Sequence, residues 1–233
     1  MRILGTIVIT ILAALTSLLS YAQPTIKVKK ADLKKDVIMF TNKGNMTLRL
    51  SDSTPLHRDN FIRLIKSKYY VGISFHRVIA GFMIQAGDQK TKLNFDSTKN
   101  LKDYTVPAEF KPSLFHKRGV LAAARMGDDV NPSRASSGFQ FYIVHGKPFN
   151  DHELDSIEIN RLEGIKLPAM HRDYYKNIGG TPQLDQHYTV FGELINGFEV
   201  LDTIATTKTT GKGKGDKPLD DMRILKTRLI KRH

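Results

Sequence analysis

Few of the side chains able to do chemistry in this sequence stand at spacings that would let them act together. Of the eight histidines, His57, His116, His145, His152, His171, His187 and His233 show no close pairing with metal-ligand spacing. Asp151, Glu153, Asp155 and Glu158 crowd one short stretch, but on a helix such a group reads as a solvated face and not as a calcium site. Gly211-Lys212-Gly213-Lys214-Gly215 lacks the full spacing of a phosphate-binding loop and follows a helical pattern. No nucleophile elbow is present, and the absence of cysteine excludes disulfides, thiolate metal sites, a thiol nucleophile and a lipid-modified cysteine. No metal and no cofactor are therefore expected. An arginine such as Arg77, near Phe82, Met83 and Gln85, offers hydrogen-bond chemistry, but its surroundings alone do not mark a site. A guanidinium keeps its charge at every working pH and donates hydrogen bonds from a planar fork. Taken singly, an arginine on a strand reads as a surface or salt-bridge residue, and a Phe-Met pair reads as core.

The elements that must position these residues follow from periodicity. Residues 36–50 hold two strand-like runs, Val37-Ile38-Met39-Phe40 and Met46-Thr47-Leu48-Arg49-Leu50, joined by Thr41-Asn42-Lys43-Gly44-Asn45 as a hairpin. Thr54 supplies an N-cap and Pro55 a first helical position, with Phe61, Ile62, Leu64 and Ile65 on one helical face ending near Lys66. Strand chemistry returns over residues 69–85, broken by Gly72 and Gly81, and again over 119–124, 139–144 and 188–194. Asn196-Gly197 opens a second helix with Phe198, Leu201, Ile204 and Ala205 on one face, and residues 222–230 form a last strand after a Gly/Lys/Thr linker over 206–217. Many short strands with two helices and no regular strand-helix alternation predict a mainly β, antiparallel barrel or sandwich. Residues 146–182 break this rhythm and read as an insertion, partly helical over 151–162 with Leu154, Ile157 and Leu162 as a weak apolar stripe.

Ahead of this domain, Arg2 precedes an apolar stretch from Ile3 to Leu19 and then Ser20-Tyr21-Ala22, a pattern that predicts a signal peptide over 1–22 cleaved before Gln23. An uncleaved anchor is the alternative. Residues 23–35 read as an extended, lysine-rich lead-in. The chain carries 36 Lys and Arg against 23 Asp and Glu, a net charge of +13. The basic groups at Lys27, Lys29, Lys30, Lys34, Lys35 and from Lys208 to Arg232 do not interleave with aromatics, so they read as solvated surface; no specific nucleic acid is expected.

The segment Phe75-His76-Arg77-Val78-Ile79-Ala80-Gly81-Phe82-Met83-Ile84-Gln85-Ala86-Gly87-Asp88 resembles the signature of the cyclophilin-type peptidyl-prolyl isomerases. Gly119-Val120-Leu121-Ala122-Ala123-Ala124, Ser137-Gly138-Phe139-Gln140-Phe141-Tyr142-Ile143, and Leu184-Asp185 with Tyr188-Thr189-Val190-Phe191-Gly192 extend the likeness in order, over roughly residues 36–230. The resemblance implies a closed eight-stranded antiparallel barrel capped by two helices, occupying residues 36–233. It implies that Arg77 is the catalytic arginine, with Gln85 orienting it or the rotating carbonyl. It places Phe82, Met83, Ala124, Arg125, Gln140, Tyr142, Leu184 and Tyr188 around the substrate proline and its neighbours. His76, next to Arg77 on a strand, points to the other face and reads as structural. Departures are Ala80 for the usual proline, Arg125 for a common asparagine, Tyr188 for a common histidine, and Gln183 where cyclosporin-sensitive members carry tryptophan.

An Xaa-Pro bond turns across a barrier of roughly 18–20 kcal/mol, and no covalent bond to protein is required to lower it. The expected function is thus isomerisation of proline-containing peptides and of unfolded or partly folded exported proteins, in the periplasm or outside the cell, by a monomer. A proline-peptide binding module or chaperone with little turnover is the alternative.

Overall fold

A computed structural model describes residues 26–99 and 102–232 of the chain; the expected signal peptide and the start of the lead-in lie outside them. The lead-in ends in a single 3-10 turn, Asp32–Lys34, where the buried Asp32 carboxylate accepts from Lys66 Nζ at 2.8 Å and from the Lys29 N–H at 3.0 Å.

Alternation of apolar and polar residues forms the opening hairpin. In β1 (Lys35–Thr41) and β2 (Gly44–Leu50), Val37, Met39, Met46, Leu48 and Leu50 point to the interior, with Val37 opposite Leu48 and Met39 opposite Met46. The helix α1 (Pro55–Lys66) follows as expected and buries Phe61, Ile62, Leu64 and Ile65. Its cap differs from the expectation. Thr54 makes no capping bond and its Oγ1 is buried without a partner. The free N–H groups of Leu56 and His57 instead donate to the Glu109 carboxylate at 3.2 and 3.0 Å, and His57 Nδ1 lies 2.7 Å from Glu109 Oε2. An anionic side chain satisfies these donors and complements the positive end of the helix dipole, which a threonine hydroxyl does only in part.

The remaining strands are β3 (Arg77–Ile79), β4 (Met83–Ala86), the two-residue β5 (Thr105–Val106), β6 (Val120–Ala123), the two-residue β7 (Ser136–Ser137) and β8 (Phe141–Val144). They are followed by α2 (Asp151–Asn160), α3 (Ala169–Asn177), β9 (Val190–Asn196), α4 (Phe198–Ala205) and β10 (Ile224–Lys231). Eight of the ten strands form one curled antiparallel sheet in the order β10-β1-β2-β9-β6-β8-β4-β3, and β5 pairs with β7 apart from it. The expected eight antiparallel strands are present in this curled sheet, but closure into a barrel by a continuous ladder is not: the outer strands β3 and β10 share none. The segment ahead of β3 meets the start of β10 instead, Gly72 N–H to Ile224 O at 2.8 Å, Phe75 N–H to Met222 O at 2.8 Å and Ile224 N–H to Ile73 O at 2.9 Å. α1 packs against β9 and β10, and α4 against β2, β3 and β4. Gly197 opens α4 with φ of 96°, a left-handed turn in which a Cβ would collide with the Asn45 carbonyl.

Residues 146–182, read above as an insertion, contribute to a separate apolar cluster. Leu154, Leu162, Leu167 and Tyr175 are buried against Phe115, Phe149 and Ile157. The second helix, α3, was not expected: of its nine residues only His171 and Tyr175 are buried, too thin a stripe to register as periodicity. In the acidic group on α2, Asp151, Glu153 and Asp155 keep the expected solvated face, and Glu158 departs from it. Glu158 is buried and accepts from Arg172 Nη1 at 2.7 Å, Lys166 Nζ at 2.8 Å and the Leu167 N–H at 3.1 Å. Asp151 and Asp155 pair with the same Arg172, at 2.8 and 2.9 Å. These carboxylates clamp α3 to α2, because helical spacing presented them to a guanidinium that periodicity could not locate.

Candidate active site

Strand alternation splits the side chains of β4, β6 and β8 between two faces. Ile84, Ala86, Leu121, Ala123, Phe141 and Ile143 enter the central core, whereas Met83, Val120, Ala122, Tyr142 and Val144 form a second cluster on the opposite face. Register then aligns a row across four strands. Arg77 stands opposite Gln85, Gln85 opposite Tyr142, and Tyr142 opposite Ala122. The chain entering β9 folds Leu184 and Tyr188 over this row.

The result is a cleft of about 270 Å³ lined by Arg77, Phe82, Met83, Gln85, Ala124, Arg125, Tyr142, Leu184 and Tyr188. Of the residues expected at the site, Gln140 is the one that does not line it; its Oε1 accepts from Gln85 Nε2 at 3.0 Å and so holds the Gln85 amide from behind. His76 also stays off the cleft, half-buried with Nδ1 unpartnered, and burial lowers its pKa below the usual value. Gln183 lies beside Phe82 in a neighbouring cleft shared with Phe149, Ile157 and Arg161 of the insertion.

The guanidinium of Arg77 has no hydrogen-bonded partner among the described residues. Its nearest carboxylate is Asp216, with Nε 3.8 Å from Oδ2, and its side chain is 42% exposed. Asp216 arrives from the segment read as a linker, pinned where its carbonyl accepts the Val78 N–H at 2.9 Å. Nothing in the local pattern there marks it. Arg125, by contrast, is spent on structure: its guanidinium lies 4.5 Å from the Tyr188 ring centroid and donates to His187 O at 2.8 Å and to Asp128 Oδ1 at 2.5 Å. It stiffens one wall of the cleft through a cation-π contact. Tyr188 in turn meets Tyr142 edge to face, with centroids 6.0 Å apart.

Behind Tyr142 lies a buried polar chain that sequence reasoning missed. The Tyr142 hydroxyl is 2.9 Å from His116 Nε2, His116 Nδ1 is 2.9 Å from Asp185 Oδ1, and the Tyr175 hydroxyl is 2.7 Å from Asp185 Oδ2. Burial pushes the phenols of Tyr142 and Tyr175 well above their usual pKa, so both remain protonated. The one available signal was Asp185, which follows Leu184 directly. No group of three or more metal-ligating side chains gathers among the described residues, and no helix there is long and apolar enough to cross a membrane.

The fold is thus a curled antiparallel sheet packed by two helices, with an apolar cleft edged by an arginine that has no hydrogen-bond partner among the described residues. Residues 37–229 match the family model for cyclophilin type peptidyl-prolyl cis-trans isomerases. A protein of Staphylococcus aureus (strain USA300) named as a peptidyl-prolyl cis-trans isomerase is 38% identical over 207 residues, covering 88% of this chain and 95% of its own; one from Staphylococcus haemolyticus is 37% identical over the same length. A crystal structure of a cyclophilin type isomerase from Cryptosporidium parvum superposes with a TM-score of 0.61 at 26% identity, covering 85% of this chain and 99% of that one. A second structure of that protein, determined in the presence of the dipeptide Ala-Pro, gives 0.60 at the same identity. The chain belongs to the cyclophilin-type peptidyl-prolyl cis-trans isomerases.

Proposed function

We propose that this isomerase binds a proline-containing segment in the Arg77–Tyr142 cleft and assists the folding of exported proteins. The single observation that carries the site is the Arg77 guanidinium, free of hydrogen-bond partners among the described residues, at the edge of a cleft walled by Phe82, Met83, Tyr142 and Leu184. A volume of about 270 Å³ is suited to a proline and its neighbour, since drug-sized pockets start at roughly 300 Å³. The dipeptide present with the similar Cryptosporidium protein supports a ligand of this kind. The Arg2 and Ile3-to-Leu19 pattern ahead of Gln23 supports clients that leave the cytoplasm.

The chemistry follows from conjugation. A planar amide resists rotation because the nitrogen lone pair is shared with the carbonyl; in the twisted state the nitrogen regains that pair. Phe82, Met83, Tyr142 and Leu184 hold the ring, while Arg77 donates toward the substrate carbonyl or the nitrogen. Gln85, held by Gln140, orients the peptide on the other side. Only the interaction that strengthens in the twisted state accelerates rotation. Among the described residues no histidine, aspartate or glutamate lines the cleft, and rotation about the amide needs no proton transfer.

Exchange NMR of a short Ala-Pro peptide with the purified protein tests this reading directly. Rapid cis-trans exchange supports it; binding of the peptide without exchange would make the protein a holding module instead.

A further inference from the structure

The insertion and the cleft are joined by more than proximity. Asp185 is 5% exposed, and its carboxylate accepts from three donors: the His116 backbone N–H at 2.7 Å, the His116 ring Nδ1 and the Tyr175 hydroxyl. His116 Nδ1 donates to this carboxylate, and its Nε2 is hydrogen-bonded to the Tyr142 hydroxyl at 2.9 Å. The Tyr142 hydroxyl is thereby engaged by a buried partner. His116 itself is wholly buried, away from bulk solvent.

The backbone closes around the same chain. Thr181 N–H donates to His116 O at 2.8 Å, and Gly180 passes so close that a Cβ there would run into the His116 carbonyl and the Tyr175 ring. Tyr175 belongs to α3 of the insertion and is held in the separate apolar cluster. Tyr142, at the far end of the chain, is a wall of the proline cleft.

We propose that Tyr175, Asp185 and His116 are positioning residues through which the insertion sets the Tyr142 wall of the cleft. The proposal rests on the reading of that cleft as the proline site. A correctly placed wall binds the planar and the twisted substrate alike, so loosening it raises KM and spares kcat. Cutting the chain at Tyr175 acts at Tyr142 only while His116 and the Tyr142 hydroxyl remain bonded.

The experiment compares the parent protein with Tyr175→Phe, Tyr142→Phe and the double variant by exchange NMR over a range of Ala-Pro peptide concentrations. Tyr175→Phe keeps the ring and its packing, and is expected to raise KM about three- to tenfold with kcat within about twofold. In the Tyr142→Phe background the same substitution is expected to move KM by less than about twofold. Nitrogen NMR of the His116 ring is expected to show the proton on Nδ1 in the parent. A lowered melting temperature with KM unchanged overturns the proposal, as does an equal Tyr175→Phe effect in both backgrounds, or a His116 proton on Nε2. If the parent neither binds nor turns over the peptide, the reading of the cleft fails and this proposal with it; if the parent works and Tyr175→Phe matches it, only the proposal fails.

Discussion

Replacing Arg77 by alanine removes the one cation at the cleft whose donors are uncommitted among the described residues. A hydrogen bond from a charged group contributes about 1.5–3 kcal/mol, and about 1.4 kcal/mol corresponds to a factor of ten in rate. The Arg77 side chain is 42% exposed, so water competes for its donors and the lower half of that range applies. Loss of about ten- to fiftyfold in kcat/KM is the expected result, carried by kcat because the interaction strengthens as the amide twists. Arg77→Lys is expected to recover only part of it, because an ammonium keeps the charge without the planar fork. The fold should lose little: Asp216 stands 3.8 Å away, beyond hydrogen-bond distance, in a pair whose arginine is 42% exposed, a geometry worth about 0–1 kcal/mol. Exchange NMR of an Ala-Pro peptide gives the rates and a thermal melt gives the control. The parent profile should also be flat between about pH 6 and 8, where neither arginine nor tyrosine titrates. An Arg77→Ala protein with the parent melting temperature and kcat/KM within about threefold of it would refute the role assigned to this residue.

Two further predictions concern stability. Glu109→Ala removes the acceptor of two α1 N–H groups together with the partner of His57, and should cost about 1–3 kcal/mol in urea unfolding while the sheet persists; an unchanged midpoint would show that water caps the helix equally well. Asp32 has its pKa lowered from 3.8 to about 2, chiefly by the Lys66 hydrogen bond. A carboxylate depressed in the folded state stabilises it fully above the unfolded pKa and loses that contribution as pH falls toward the folded value. The stability difference between the parent and Asp32→Asn, followed by urea titration, should therefore be constant at neutral pH and shrink between about pH 4 and 2, and a difference independent of pH would contradict the pairing.

Local pattern carries much of this protein. Alternation in residues 36–50, the 3.6-residue stripe through Phe61 and Ile65, and the short apolar runs around residues 120 and 142 are consequences of which face each residue buries, and they place most barrel elements within a few positions of where they lie. The cleft was legible only through the resemblance of residues 75–88 and the later segments to the cyclophilin signature; alternation accounts for it afterwards, since Arg77 stands opposite Gln85 in one hairpin and the period of two sends Met83 away from the central core. The remainder depended on where distant backbone comes to rest. Glu109 caps α1 from a loop, Asp216 reaches Arg77 from an apparent linker, Arg172 gathers the α2 carboxylates, and Tyr175 meets Asp185 beneath the cleft. A polar side chain's partner leaves no period in the chain, because a hydrogen bond is decided by position to within a few tenths of an ångström after the packing of apolar faces has set the backbone path. Burial on one face is written residue by residue along an element; the pairing of buried charges is settled only when the elements meet.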